Sequence, residues 1–515
     1  MDLSFLNEPV VKEAIVRSLW LSLAVSGFSG LFGCVMAWIA SRTDVAGKGA
    51  LATLLSIPYA IPAYLLGMAW IVLGNPAVGI LRGVFPSQGI YGFWGMVLVE
   101  TTVAFAFPYL ELRAGFDRLD PSLEEAARMS GAPPWRVFRD VSLPLLWPPL
   151  LNGMSLAFLY TLSSFGVPAM LGMPVREFVL TTLIYSQFKL GGFQGLMTGF
   201  KLAALLLVIA LAVLVFSNRL MHAYRKRAGA FLAARSSRPS LVLLGRARIP
   251  LSAISWALVG VMLALPWCAL ALSALAPVAG TYAPSAWTLR NLGYVISLPD
   301  FREALVNSLT LAGAVSALLV FAGFLVAYAA VRRGSRAARW CIESLGAGFA
   351  APGTVIALII IIVSARVSVS LGDYGFMADM PLVWMGIAYA VKYGALGSRM
   401  LAASFRQVHP ALEESARVCG AGTARVLADI WAPILKKTIA AALFLSALPM
   451  FTELTMSVLL TGPGAATLGT VLFQLQEYAD QPSAAALAWM ILTAALAVAL
   501  AARGGKTVDI LEERS

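Results

Sequence analysis

The sequence predicts an all-α fold: a polytopic transmembrane helical protein with two homologous halves, of about five and six spans. Three observations predict it. The chain is 59% hydrophobic and only 12% charged, roughly half the charged fraction of a soluble domain. Apolar runs recur along its whole length, and about 20 apolar residues cross a bilayer core of about 30 Å as a helix, which satisfies its own backbone in lipid. The chain also overlays itself at a shift of 290 residues.

Taken in order, the apolar runs give eleven spans: 14–40, 49–73, 90–115, 145–171 and 195–217, then 249–275, 303–331, 340–365, 380–405, 434–461 and 483–502. Met1 to Glu13 is too polar for a signal peptide. Basic residues orient the spans. The stretch 218–248 holds eight Lys and Arg and no acid, and the turn near 332–339 holds Arg332, Arg333, Arg336 and Arg339. Both read as cytoplasmic. The stretch 276–300 has only Arg290 and 462–482 has no basic residue, so both read as external. Alternation then places 116–144 and 406–433 in the cytoplasm. The net charge of +12 belongs to this topology pattern, and nucleic acid is not an expected partner.

The internal repeat matches Ser18 with Ser308, Gly33 with Gly323, Arg42 with Arg332, Pro62 with Pro352 and Trp94 with Trp384. The cytoplasmic segments match better at a shift of 289. A parallel repeat implies two similar halves with a pathway between them. The predicted division is 1–217 for the first half, 218–248 for a basic cytoplasmic linker and 249–515 for the second half.

The two cytoplasmic segments are not apolar, so composition does not explain their likeness. The first runs from Asp120-Pro121 through Glu124, Glu125, Ala126 and Ala127 to Gly131, and on to Val141-Ser142-Leu143-Pro144. The second runs from His409-Pro410 through Glu413, Glu414, Ser415 and Ala416 to Gly420, and on to Ile430-Trp431-Ala432-Pro433. Pro121 and Pro410 suit a first helical position, and Asp120 is a good N-cap. Glu124 and Glu413 sit near the positive end of the helix dipole. Gly131 and Gly420 suit a left-handed helix end. Each segment therefore predicts a helix of about ten residues, a turn and a second short helix, forming a stiff knob at the membrane surface.

Glu-Ala-Ala, a Gly six residues after the Glu, and an aliphatic–x–Leu–Pro ending resemble the EAA loop of ABC importer permeases. The second half departs at Ser415 and Ala432. The resemblance implies a type I ABC importer-like fold, with coupling loops at Glu125, Ala126, Ala127 and Gly131 and at Glu414, Ser415, Ala416 and Gly420. It implies partners as well: two copies of a cytoplasmic ABC ATPase, which uses the ATP, and a separate periplasmic or extracellular substrate-binding protein. It places the chain in the bacterial inner membrane. Phe165-Gly166-Val167-Pro168, Glu453-Leu454 and Thr467-Leu468-Gly469-Thr470 resemble the fused ferric iron permeases, whose relatives carry thiamine, phosphonate or polyamine. That branch often has an acid where Ser164 stands. A first half of five spans puts Met1 outside and lacks a leading helix usual in the family, so a start internal to a longer gene product is expected.

Four further residues are candidates for the translocation pathway: Glu100 and Lys392 in mid-span, Glu453, and Ser164 opposite it in the repeat. For Glu100 and Lys392 a packing ion pair or a snorkelling side chain explains the position equally well; for Glu453 the repeat position opposite Ser164 favours the pathway. Gly504-Gly505-Lys506-Thr507 resembles a phosphate loop but lacks the earlier glycine, since position 500 is Leu, and it reads as a basic anchor. Cys34, Cys268, Cys341 and Cys419 are scattered, and His222 and His409 are far apart, so neither a disulfide nor a metal site is expected. The chain is not expected to be an enzyme or to hold a cofactor. A secondary transporter is the competing class. It would show ion-binding carboxylates or broken helices at mid-membrane and would not need paired docking loops.

Overall fold

The computed structural model describes residues 4–228, 241–370, 380–477 and 480–512. Among these the regular elements are helices, with one isolated bridge between Thr43 and Val242. Each of the eleven predicted spans meets helix. Six helices are long and apolar enough to cross a membrane unaided, and nine spans result if three bent pairs are counted as one each. Gly353–Ser368 and Gln481–Ala497 are shorter apolar helices. Pro381–Gln407 has the length, but Lys392, Arg399 and Arg406 dilute its apolar character.

Several expected spans are broken. Residues 49–73 form Lys48–Leu54, a 3₁₀ turn and Ala63–Gly74, bent by 100° before Pro62. Proline removes a backbone donor and drives its predecessor out of the helical region, and Ile61 is extended at φ −96° and ψ 126°. Pro352, its repeat partner, likewise separates Arg336–Ala350 from Gly353–Ser370. The expected span 145–171 ends at Leu162, and Gly166–Leu171 is a separate short helix. The expected span 434–461 divides into Lys436–Phe451 and Thr455–Leu460.

Two stretches expected as loops also contain helix, at Leu180–Leu190 and Leu468–Glu477. They are capped alike. The Ser18 hydroxyl accepts from the Leu180 N–H at 2.8 Å, and the Ser308 hydroxyl accepts from the Leu468 N–H at 3.0 Å. Thr182 accepts from the Val179 N–H, and Thr470 from the Thr467 N–H. The repeat therefore extends to matching side-chain caps, each satisfying a backbone donor that the helix leaves open.

Packing divides the chain differently from the repeat. One compact unit comprises Met1–Gly293 with Asp480–Ala499, and the other Tyr294–Ala479 with Leu500–Ser515. The helix Arg248–Val259, its π-helical turn and Leu265–Leu275 thus lie with the first unit, although the repeat assigns them to the second half. The last span joins them there: the Trp267 indole donates to Thr493 at 3.0 Å and its ring meets Trp489. The end of the linker is fixed to the turn after Pro9–Arg42. The Val242 N–H donates to the Arg42 carbonyl, the Leu244 N–H to Asp44, and the Trp256 indole to the Ala46 carbonyl. Linker residues 229–240, including Arg235 and Arg238, lie outside the described residues.

Matching glycines in the two halves allow close helix contacts. A Cβ at Gly33 would lie 2.9 Å from the Tyr109 backbone nitrogen, and one at Gly323 would lie 3.2 Å from the Ser398 backbone. Gly27, on the same helix as Gly33, has open space around it. Overpacking a filled site costs about 1–3 kcal/mol. Gly33→Val should lower the thermal midpoint of the detergent-solubilised protein, and Gly27→Val should leave it nearly unchanged.

Candidate functional site

The two predicted knobs form as expected. Asp120 caps the helix Pro121–Met129 by accepting from the Ser122 N–H at 3.0 Å. Ala411–Val418 is the second helix, and its less suitable cap, His409, accepts from the Ala411 N–H through Nδ1. Gly131 has φ +81° and Gly420 φ +84°. The Ala132 N–H returns to the Ala127 carbonyl and the Ala421 N–H to the Ala416 carbonyl, which closes a Schellman turn in each copy. Glu125, Ala126 and Gly131 are exposed, as are Glu414, Ser415 and Gly420, while Ala127 and Ala416 are half-buried. Met129 and Val418 hold the same repeat position and are 89% and 88% exposed, so each knob carries an apolar tip that none of the described residues covers.

The opposite face of each helix is tied into its own unit by one buried carboxylate, the residue before the motif Glu. Glu124 lies 2.9 Å from Arg42 Nε, and both side chains are 2% exposed. The Ser142 hydroxyl donates to Glu124 at 2.7 Å. Arg42 closes the last turn of Pro9–Arg42, donates to the Phe116 carbonyl at 3.1 Å and lies over the Phe116 ring. In the second unit Glu413 accepts from Tyr328 at 2.7 Å, from Arg417 at 2.8 Å and from the Trp431 indole at 3.2 Å. Arg332, the repeat partner of Arg42, donates to the Phe405 and Val408 carbonyls and lies over the Trp431 ring. Sequence reasoning placed Glu124 and Glu413 at the helix dipole but missed their partners. The match of Arg42 with Arg332 corresponds to the shared backbone contacts at Phe116 and Phe405, not to these donors, since Arg332 is not among those of Glu413.

Burial pushes the Glu413 carboxyl up, but the Tyr328, Arg417 and Trp431 donors together outweigh it and hold its pKa below the ordinary 4.5. A depressed carboxylate stabilises the fold above its unfolded pKa, and that stabilisation disappears as pH falls through the folded pKa.

The pathway candidates lie apart from the knobs. Glu100 is fully buried on Phe93–Ala104, with the Ser164 side chain beside it. Lys392 donates to the Ala351 carbonyl and lies within electrostatic reach of Glu453. Glu453 caps Thr455–Leu460, accepting from the Met456 N–H at 2.9 Å and the Ser457 N–H at 3.0 Å. Residues 504–507 lie within the helix Gln481–Glu512, so the strand–loop–helix of a phosphate loop is not formed there. Among the described residues no group of three or more His, Cys, Asp or Glu could hold a metal.

Two sets of apolar helices built on one plan, each anchoring an exposed helical knob, define a two-half membrane transport permease. The chain belongs to the family of binding-protein-dependent transport system inner membrane components, which matches residues 29–227 and again 319–504. It is therefore a multi-pass permease of an ABC importer, a transport component rather than an enzyme. Among similar proteins, the Fe(3+)-transport system permease protein FbpB 2 of Haemophilus influenzae is 24% identical over 95% of this chain and 89% of its own length. The molybdenum transport system permease protein ModB of Escherichia coli is 29% identical over 42% of this chain and 96% of its own. A "Probable sulfate transport system permease protein cysT" of Chlorella vulgaris is 29% identical over 41% of this chain and 80% of its own.

Breaking one partner of a buried ion pair costs about 3–5 kcal/mol, whereas replacing both by apolar groups is often nearly neutral. Glu124→Gln should therefore lower the thermal midpoint clearly, and Arg42→Met/Glu124→Leu should recover most of the loss. A pH titration of thermal stability should show stability falling as pH drops below about 4.5, and Glu413→Gln should flatten that limb.

Proposed function

We propose that this permease imports ferric iron across the bacterial inner membrane, receiving it from a separate substrate-binding protein and driven by two copies of a cytoplasmic ABC ATPase. The observation that supports iron most is the reach of the FbpB 2 alignment, which runs through both halves and the linker region. The molybdenum and sulfate relatives align over a single half. Charge supports the same choice. Glu100 is a buried carboxyl on a predicted span, where it would repel an oxyanion and favour a cation; Glu453 is buried too, with Lys392 within its electrostatic reach. Hard trivalent iron prefers oxygen ligands. Thiamine, phosphonate and polyamine are the alternatives that the sequence leaves open.

Coupling runs through the knobs. Each fits a groove of an ATPase subunit, with Met129 or Val418 at its tip and Glu125, Ala126 and Ala127 or Glu414, Ser415 and Ala416 along its exposed side. Closure of the ATPase dimer pushes on the knob, and the buried Glu124 or Glu413 passes the push to the membrane helices.

The test is uptake of labelled iron, molybdate, sulfate, thiamine and a polyamine in a strain lacking its own systems, with the ATPase and binding protein co-expressed. Iron alone should enter; entry of another solute without iron would end the substrate reading. Gly131→Val/Gly420→Val forces a β-branched residue into the left-handed region, about 1–2 kcal/mol at each site. It should abolish uptake and ATPase co-purification while the protein is still inserted. Normal uptake by that variant would rule out the coupling assignment.

A further inference from the structure

Glu100 is a buried ionisable group that coupling leaves unused. It is 0% exposed, and the polar group beside its carboxyl is the Ser164 side chain. Ser164 stands in the break between Leu143–Leu162 and Gly166–Leu171. An acid buried inside a membrane span is unfavourable and marks a functional position.

The second unit carries the reverse arrangement. Its break residue at the repeat position of Ser164 is the acid Glu453. Glu100 maps within one residue of Tyr389, whose hydroxyl meets Ser457 at 2.7 Å, while Ser457 meets Glu453 at 3.2 Å. In the first unit the acid is on the spanning helix and the hydroxyl at the break. In the second the hydroxyl is on the spanning helix and the acid at the break. Helix capping does not explain the exchange, because Glu453 caps Thr455–Leu460 whereas Glu100 lies within Phe93–Ala104 and caps no helix. What the two acids share is a place beside irregular backbone within a span. Such backbone is tolerated at membrane depth only when buried in protein or lining a cavity, and transporters build substrate sites on it.

We propose that Glu100 is the first half's counterpart of Glu453, a carboxyl at that half's own helix break that meets a positively charged substrate. This rests on the reading of the substrate as a cation. Iron uptake is compared in wild type, Glu100→Gln, Ser164→Glu and Glu100→Gln/Ser164→Glu, with membrane yield and thermal midpoint measured for each. Loss of one charge-assisted contact should reduce uptake by Glu100→Gln about tenfold or more at unchanged yield. The double variant, with its acid moved to the break, should return near wild type. Undiminished uptake by Glu100→Gln overturns the proposal. So does a double variant that inserts but stays at background, and that variant decides should Glu100→Gln fail to insert. Wild type that takes up no cation would instead overturn the substrate reading itself.

Discussion

A carboxylate removed from water at the membrane surface is the constraint around which each unit is built. Glu124 and Glu413 each sit on a short amphipathic helix whose other face is exposed, and each is held by donors from the ends of membrane helices. An unpaired charge there would be strongly destabilising. The segments that supply the donors, at Arg42 and Ser142 in one unit and at Tyr328 and Trp431 in the other, must therefore meet at one point. The apolar clusters around those points follow from that convergence.

The two units solve the same problem with different chemistry. The first uses a full charge, Arg42, and a hydroxyl, Ser142. At the positions of Trp38 and Ser142 the second has Tyr328 and Trp431, and it adds Arg417 from the helix itself. Arg42 and Arg332 nevertheless make the same backbone contact, to Phe116 and Phe405. The position of the carboxylate is common to both units and the identity of its donors is not. Local neutralisation needs enough donors, not particular ones.

Much of this was legible before any coordinates. The spans and the left-handed glycines follow from local rules that act within one or two turns, and the repeat from the sequence laid over itself. The hinges at Pro62 and Pro352 were not legible, because both prolines stand inside apolar runs that read as single spans, 49–73 and 340–365. The breaks at Ser163–Phe165 and Thr452–Leu454, and the helices Leu180–Leu190 and Leu468–Glu477, were not legible, because the apolar runs pass through or stop short of them. Only tertiary hydrogen bonds, such as Ser18 to Leu180, reveal where those helices begin. The partners of Glu124 were hidden for the same reason. Arg42 is 82 residues away, and the repeat does not show the pair either, because Arg332 donates to carbonyls and not to Glu413.

The return of the last span to the first unit has a consequence for biogenesis. Trp267 finds Trp489 and Thr493 only after more than two hundred further residues have been synthesised. Until that helix is made, the flank of the first unit at Trp267 lacks those contacts. Contacts so distant in sequence form slowly, and an incompletely packed chain is more exposed to misassembly than a finished one. The packing of an early segment of this permease therefore depends on one synthesised much later.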